Sequence, residues 1–272
     1  MHMNGYIDFH SKLLPNFKGG SSNDEVIKST VKSLNSAKIK TVVTTSIFDP
    51  EVDTIDQFLA DREKAYQLLL SKTKELSLPK IILSAEVIFS EKVLKLNDIE
   101  KLCIGDTNYM MISFNPKDYS PKLLELLDKF MIAHKVHPII AHLESYLKDI
   151  DSIDELKKFT QMRILAQLSC SSIVDRGTRK RSLELINSNV VQIIGSNNNE
   201  VNSEPRSLST IAMDILNKDI ETDVTELVKP TPQYADAVRI MRYNLPMGKY
   251  KHIKNNAGMI ISNASLEDVL TN

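Results

Sequence analysis

Three short segments far apart in the chain carry side chains suited to holding a cation or moving a proton: Asp8-Phe9-His10, Ser84-Ala85-Glu86 and Ile140-Ala141-His142. Imidazole nitrogens and carboxylate oxygens are the ligands that divalent metals select, and histidine also titrates near neutral pH. Asp8 and His10, Glu86 and His142 each close a short apolar run, so each donor sits where a buried strand would end. Two imidazoles and a carboxylate meeting from three parts of the chain would make a polar pocket. The alternative for any one of them is a structural group satisfied by a local hydrogen bond. Only convergence separates the two readings. Thr45, Ser46, Ser113, Ser169 and the run 196–199 end further apolar runs and would place hydroxyls and amides on the same rim.

What must position these groups is a series of runs rich in Val, Ile and Leu, at 6–9, 41–45, 81–87, 109–114, 138–142, 164–169 and 190–195. Apolar strands that alternate with segments of helical period are the pattern of βα units around a parallel sheet. Asn23 or Asp24 is placed to cap a helix that brings Val26, Ile27, Val31, Leu34 and Ala37 to one face. Further helices fit 54–75, 121–134, 153–159, 178–187 and 205–217. Periodicity leaves a closed barrel and an open doubly wound sheet both possible. In either, functional groups gather at the carboxyl ends of the strands.

The chain has 272 residues, 42% of them hydrophobic, enough for one large core, and a single domain over 1–272 is expected. From about Asp219 the rhythm breaks, with Lys229-Pro230-Thr231-Pro232, so 219–272 reads as an extension or cap. Lys and Arg number 34 against 35 Asp and Glu, which leaves no global field to draw the chain onto nucleic acid or an anionic membrane. Only Cys103 and Cys170 occur, too few for a disulfide framework, and the expected setting is the reducing cytoplasm. No segment approaches the roughly 20 apolar residues that span a bilayer.

The same segments carry a resemblance. Asp8-Phe9-His10-Ser11-Lys12-Leu13-Leu14-Pro15 resembles the D-x-H-S-H-x-L-P opening of PHP-family (polymerase and histidinol phosphatase) metal-dependent tyrosine phosphatases from bacterial capsule and exopolysaccharide loci. Residues 41–50 resemble that family's second strand with its T-P-H segment, Ser84-Ala85-Glu86 its G-A-E, and 109–114 a strand that ends in glutamate. Residues 140–146 are similar to L-A-H-P-E-R-Y, 167–177 to Q-x-x-A-G-S-x-x-G-R-x-G, and 195–199 to G-S-D-A-H. The resemblance runs in order over roughly residues 6–220. It implies an α/β fold, a distorted seven-stranded (βα) TIM-like barrel of the PHP type. It also implies a site in which two or three manganese or iron ions bind phosphate and activate water.

The departures from that family carry the functional expectation. His10, Glu86 and His142 stand at its metal-ligand positions. Lys12 stands for a second histidine, Lys18 and Gly19 for an acidic pair, Ile47 for another histidine, and Ser113 for the glutamate. Asn197 and Asn199 stand for the final aspartate and histidine, and Ser145 for an arginine that helps hold phosphate. Isoleucine offers no donor and an ammonium repels a cation. The expected pocket is Asp8, His10, Lys12, Lys18, Glu86, Ser113, His142, Arg176, Asn197 and Asn199, without a cofactor. In it Lys12 takes a lost cation's place beside Glu86 or Asp8, and Lys12, Lys18 and Arg176 are available to a phosphate-like anion.

Three functions remain open. One is a non-catalytic or weakly active binding protein whose partner is the phosphotyrosine tail of a capsule-assembly tyrosine kinase. Another is a working manganese- or iron-dependent tyrosine phosphatase with missing ligands supplied by His134, His137 or Asp49. The third is a bare scaffold, and a homo-oligomer is compatible with each. Two weaker signals are set aside. Residues 170–176 spell the C-x5-R of cysteine-dependent phosphatases, but Ile173 and Asp175 suit a phosphate-cradling loop poorly. The basic and aromatic cluster 248–254 reads as a solvated tail.

Overall fold

The computed structural model describes residues 6–147, 149–150, 152–188 and 190–197. The expected helix at 205–217, the segment 219–272 with its basic cluster, and Asn199 lie outside the described residues.

All seven expected strands form: β1 (Tyr6–Ser11), β2 (Ile39–Phe48), β3 (Lys80–Ile88), β4 (Tyr109–Ser113), β5 (His137–Ile140), β6 (Leu165–Ser169) and β7 (Ile193–Gly195). Each pairs in parallel with the next, in simple sequence order. An open doubly wound sheet would reverse its order at a switch point. Here β7 instead returns to β1, where the Asn197 N–H donates to the His10 carbonyl at 2.7 Å. The result is a nearly closed barrel. Gly195 allows the seam, because a Cβ there would lie 2.7 Å from the His10 Cβ.

Helices cover the outside. Asn23 caps α1 (Asp24–Ser36), accepting from the Glu25 and Val26 N–H groups, and the helix buries Ile27, Val31 and Leu34. Thr54 caps α2 (Ile55–Lys72), which buries Phe58, Ala65 and Leu69. Ser120 caps α3 (Pro121–His134), whose proline sits at a position where no N–H is needed. After β5 comes α4 (Leu143–Tyr146), followed by α5 (Ile153–Gln161), α6 (Cys170–Val174) and α7 (Arg176–Asn187). The one-turn helices α4 and α6 are too short to leave a period in the sequence. Strand β5 ends at Ile140 rather than at His142, because His142 takes φ 54 and turns the chain out of the sheet into α4. The β3–β4 crossover carries only two 3-10 turns, Glu91–Lys95 and Ile99–Leu102. The start of β3 is correspondingly thinly covered, with Ile81, Ile82 and Leu83 half-buried.

The apolar side chains fall into two layers. Phe9, Val43, Ile104, Met111, Ile139, Ala141, Leu165 and Ile193 plug the barrel interior. A larger cluster, including Val42, Ala85, Val87 and Ile140, fills the shell between strands and helices. Strands apolar on both faces are what this arrangement requires. In β1 the register slips between Asp8 and Ser11, one residue more than β2 uses. That bulge lets Phe9 join the plug while its neighbour His10 also turns inward.

Candidate functional site

Above the plug, at the carboxyl ends of the strands, His10 of β1, Glu86 of β3 and His142 after β5 converge. One donor atom from each lies within 4.8 Å of the others. Among the described residues this is the group of acidic, histidine and cysteine side chains with the spacing of metal ligands.

Gln167 orients both histidines. It points inward from β6 in phase with Leu165 and Ser169. Its Oε1 accepts the His142 main-chain N–H at 2.9 Å, and its Nε2 donates to the Leu168 carbonyl at 2.7 Å, so the amide orientation is fixed by its partners. His10 Nδ1, 3.2 Å from that same Oε1, must then carry a proton. Burial pushes His10 down to about 4 against the pull of Glu86, so the ring is neutral at pH 7. Its Nε2 lone pair therefore faces Glu86 Oε2 at 3.2 Å. Two acceptors at that separation call for positive charge beside them.

Lys12 supplies it. Its buried ammonium donates to Glu86 Oε2 at 2.5 Å and to the Thr45 carbonyl at 2.6 Å. Burial pulls the Lys12 ammonium below its ordinary value, while Glu86 supports it. For Glu86 burial works upward, but its close neighbours, the Lys12 ammonium among them, more than offset that. The carboxyl is held well below the usual range. The His142 ring stands 4.5 Å from that of His10, with Nδ1 2.8 Å from Ser169 Oγ and Nε2 4.0 Å from Glu86 Oε2. Glu144 accepts the Ser169 N–H at 3.2 Å and lies 3.9 Å from His142 Nδ1.

Other expected members go elsewhere. Asp8 does not pair with Lys12; it accepts the Ser196 N–H at 2.8 Å and hydroxyl at 2.5 Å, pinning the seam. Burial lifts its carboxyl to about 6. The Lys18 ammonium is held by both Asp53 oxygens, at 2.7 and 2.9 Å, because its loop residue takes φ 43 and leads away from β1. Arg176 is exposed at the first turn of α7. A basic trio of Lys12, Lys18 and Arg176 is therefore not assembled. Ser113 ends β4 half-buried, and Asn197 contributes its main chain to the seam. Ser11 Oγ, Thr45 Oγ1 and Asn197 Oδ1 are buried without hydrogen-bond partners among the described residues.

The substitutes do not reach the site. His134 contacts the Leu94 carbonyl at 3.2 Å, His137 lies exposed against Tyr109, and Asp49 accepts the Glu51 N–H at 2.9 Å. Gln167 and Glu144 are the members that residue types alone did not single out. The signal for Gln167 was the two-residue alternation that puts it in phase with Ser169. The C-x5-R segment is no phosphate loop. Cys170 is buried at the start of α6, and α7 ties down the Ser172, Ile173 and Val174 carbonyls through Thr178, Ser182 and Arg179.

These donors do not fit a cluster of two or three ions. Among the described residues three ligands meet, and the Glu86 oxygen facing both histidines is already taken by an ammonium, so that set fits one ion at most, with Lys12 displaced.

A family model described as capsular polysaccharide synthesis, CpsB/CapC, matches residues 6–235. No curated protein sequence matches the chain. Among solved structures the chain is similar to one from the crystal structures of YwqE from Bacillus subtilis and CpsB from Streptococcus pneumoniae, described as unique metal-dependent tyrosine phosphatases. Identity is 16%, the TM-score is 0.67, and the match covers 87% of this chain and 96% of that one. It is also similar to histidinol phosphate phosphatase from Lactococcus lactis, at 10% identity and a TM-score of 0.51, covering 78% of this chain and 93% of that one. At such identities structural likeness establishes the barrel alone. The family match, which spans most of the sequence, establishes more: the chain belongs to the capsular polysaccharide synthesis CpsB/CapC family.

Proposed function

We propose that this chain is a non-catalytic or weakly active CpsB/CapC protein, a binding or regulatory component of capsular or exopolysaccharide synthesis in the cytoplasm. Its partner class is the phosphotyrosine tail of a capsule-assembly tyrosine kinase. The observation that carries the reading is the Lys12 ammonium on Glu86 Oε2. A lysine there neutralises the carboxylate that an ion would need, so Glu86 is compensated without a metal. Ile47 and Ser113 add no donor of the kind a second ion would need. The Ser11 and Thr45 hydroxyls, without hydrogen-bond partners among the described residues, support a residual affinity for a phosphoryl group.

The test joins elemental analysis of protein purified without chelator to calorimetry and a turnover assay with a phosphotyrosine peptide in added manganese. The expected result is substoichiometric metal, negligible turnover and saturable binding that the unphosphorylated peptide does not show. Stoichiometric metal with turnover would overturn the proposal in favour of a second reading, an active manganese- or iron-dependent tyrosine phosphatase. The observation favouring that reading is the convergence of His10, Glu86 and His142, with Gln167 leaving the His10 Nε2 unprotonated as a ligand.

A further inference from the structure

The thin β3–β4 crossover leaves a cleft of about 750 Å³ at the amino-terminal end of β3, away from the pocket. Ile82, in its wall, precedes Glu86 by four residues, about 13 Å along a strand. Leu59 and Arg62 of α2 face Ile81 and Leu83 of β3 across the cleft, and Cys103 is also in its wall. Burial pushes the Cys103 thiol up to about 12, so it behaves as an apolar surface.

Arg62 is the group that this wall does not explain. Its guanidinium lies over the Phe58 ring, 5.7 Å from the centroid, and makes no ion pair among the described residues. Its Nη1 is buried with no hydrogen-bond partner there. A buried guanidinium N–H without an acceptor is costly, and native structures seldom leave one. The other charges of the cleft do not complete it. Lys101 is paired with Asp98 at 2.7 Å, while Glu100 and Asp106 are exposed at the mouth. Those carboxylates weigh more heavily against a dianion than against a monoanion, which pairs with the cation of the cleft that has no ion pair among the described residues.

We propose that this cleft binds a small carboxylate with an apolar body, its carboxylate held by Arg62 and its hydrocarbon lying on Leu59, Ile81 and Leu83. The planar fork of arginine suits a carboxylate, and the volume lies in the range of small-molecule sites.

Calorimetry with hexanoate, hexanol and inorganic phosphate tests this on the full chain, the Arg62→Met and Arg62→Lys variants being checked for folding by circular dichroism. Hexanoate should bind saturably, and both Arg62→Met and the exchange of hexanoate for hexanol should weaken binding by about tenfold or more. Arg62→Lys, which keeps the charge without the fork, should fall between and serves alone if Arg62→Met does not fold. Absence of hexanoate binding, or equal binding by the variants, overturns the proposal. Phosphate binding as tightly as hexanoate, with the same dependence on Arg62, overturns the assigned ligand class.

Discussion

Lys12 and Glu86, 74 residues apart, make a 2.5 Å contact at the mouth of the barrel, on the oxygen that also faces both pocket histidines. Removing one member of such a buried pair leaves the other charge uncompensated. Lys12→Met and Glu86→Gln should each cost about 3–5 kcal/mol. The double variant should cost well below their sum, as read from urea denaturation of all four proteins. Additive costs would show that the two side chains do not act as a pair.

Lys12→His replaces the ammonium by an imidazole donor. It should raise the affinity for manganese or zinc by about tenfold or more over the unsubstituted chain, measured by equilibrium dialysis with elemental analysis. Unchanged affinity would mean that Lys12 is not what keeps an ion from Glu86.

Gln167→Leu removes one oxygen that serves two donors, His10 Nδ1 and the His142 main chain. Leaving both unsatisfied should cost about 2–4 kcal/mol. Nitrogen NMR of the imidazoles should show the His10 proton no longer confined to Nδ1. An unaltered spectrum would refute the orienting role.

Much of this barrel was legible because strands buried on both faces announce themselves as uninterrupted apolar runs, and because a cap such as Asn23 marks a helix start. Closure was legible only through the family resemblance, since the strand pattern left an open sheet equally possible. It depends on Asp8 meeting Ser196 and on His10 meeting Asn197, contacts that no local pattern encodes. Within the site, strand-end position sufficed to bring His10, Glu86 and His142 together, whereas Lys12 was expected from the family resemblance alone. The resemblance misplaced Lys18 and Arg176, since both sit in or beside loops whose direction is set by tertiary partners such as Asp53. Gln167 was hidden because an amide inside a strand looks like a filler until its two donors are seen.

Acid should act on Asp8 and His10 with opposite sign. His10 titrates at about 4 when folded against 6.5 ordinarily, so between these values the unfolded chain binds more protons and acidification destabilises, by up to about 3 kcal/mol. Asp8 titrates at about 6 against 3.8, so between those values the folded chain binds more protons and the same acidification stabilises by a similar amount. The two nearly cancel from pH 6 to 4. Relative to the unsubstituted chain, Asp8→Asn should lose stability more steeply as pH falls through that window, and His10→Gln less steeply. Urea midpoints across the range check this, and parallel curves would contradict it.

Gly195→Ala should destabilise by about 1–3 kcal/mol or more, since its new methyl meets the His10 Cβ and N at 2.7 and 3.0 Å. Hydrogen exchange should accelerate first in β1 and β7. Uniform acceleration, or none, would place the strain elsewhere.

The Asp8 carboxylate takes its hydrogen bonds from Ser196, 188 residues away. A ribosome must therefore have released the chain past Ser196 before β1 can be satisfied. Loop closure on that scale is slow and late. Until then a nascent chain holds β1 with one edge unpaired.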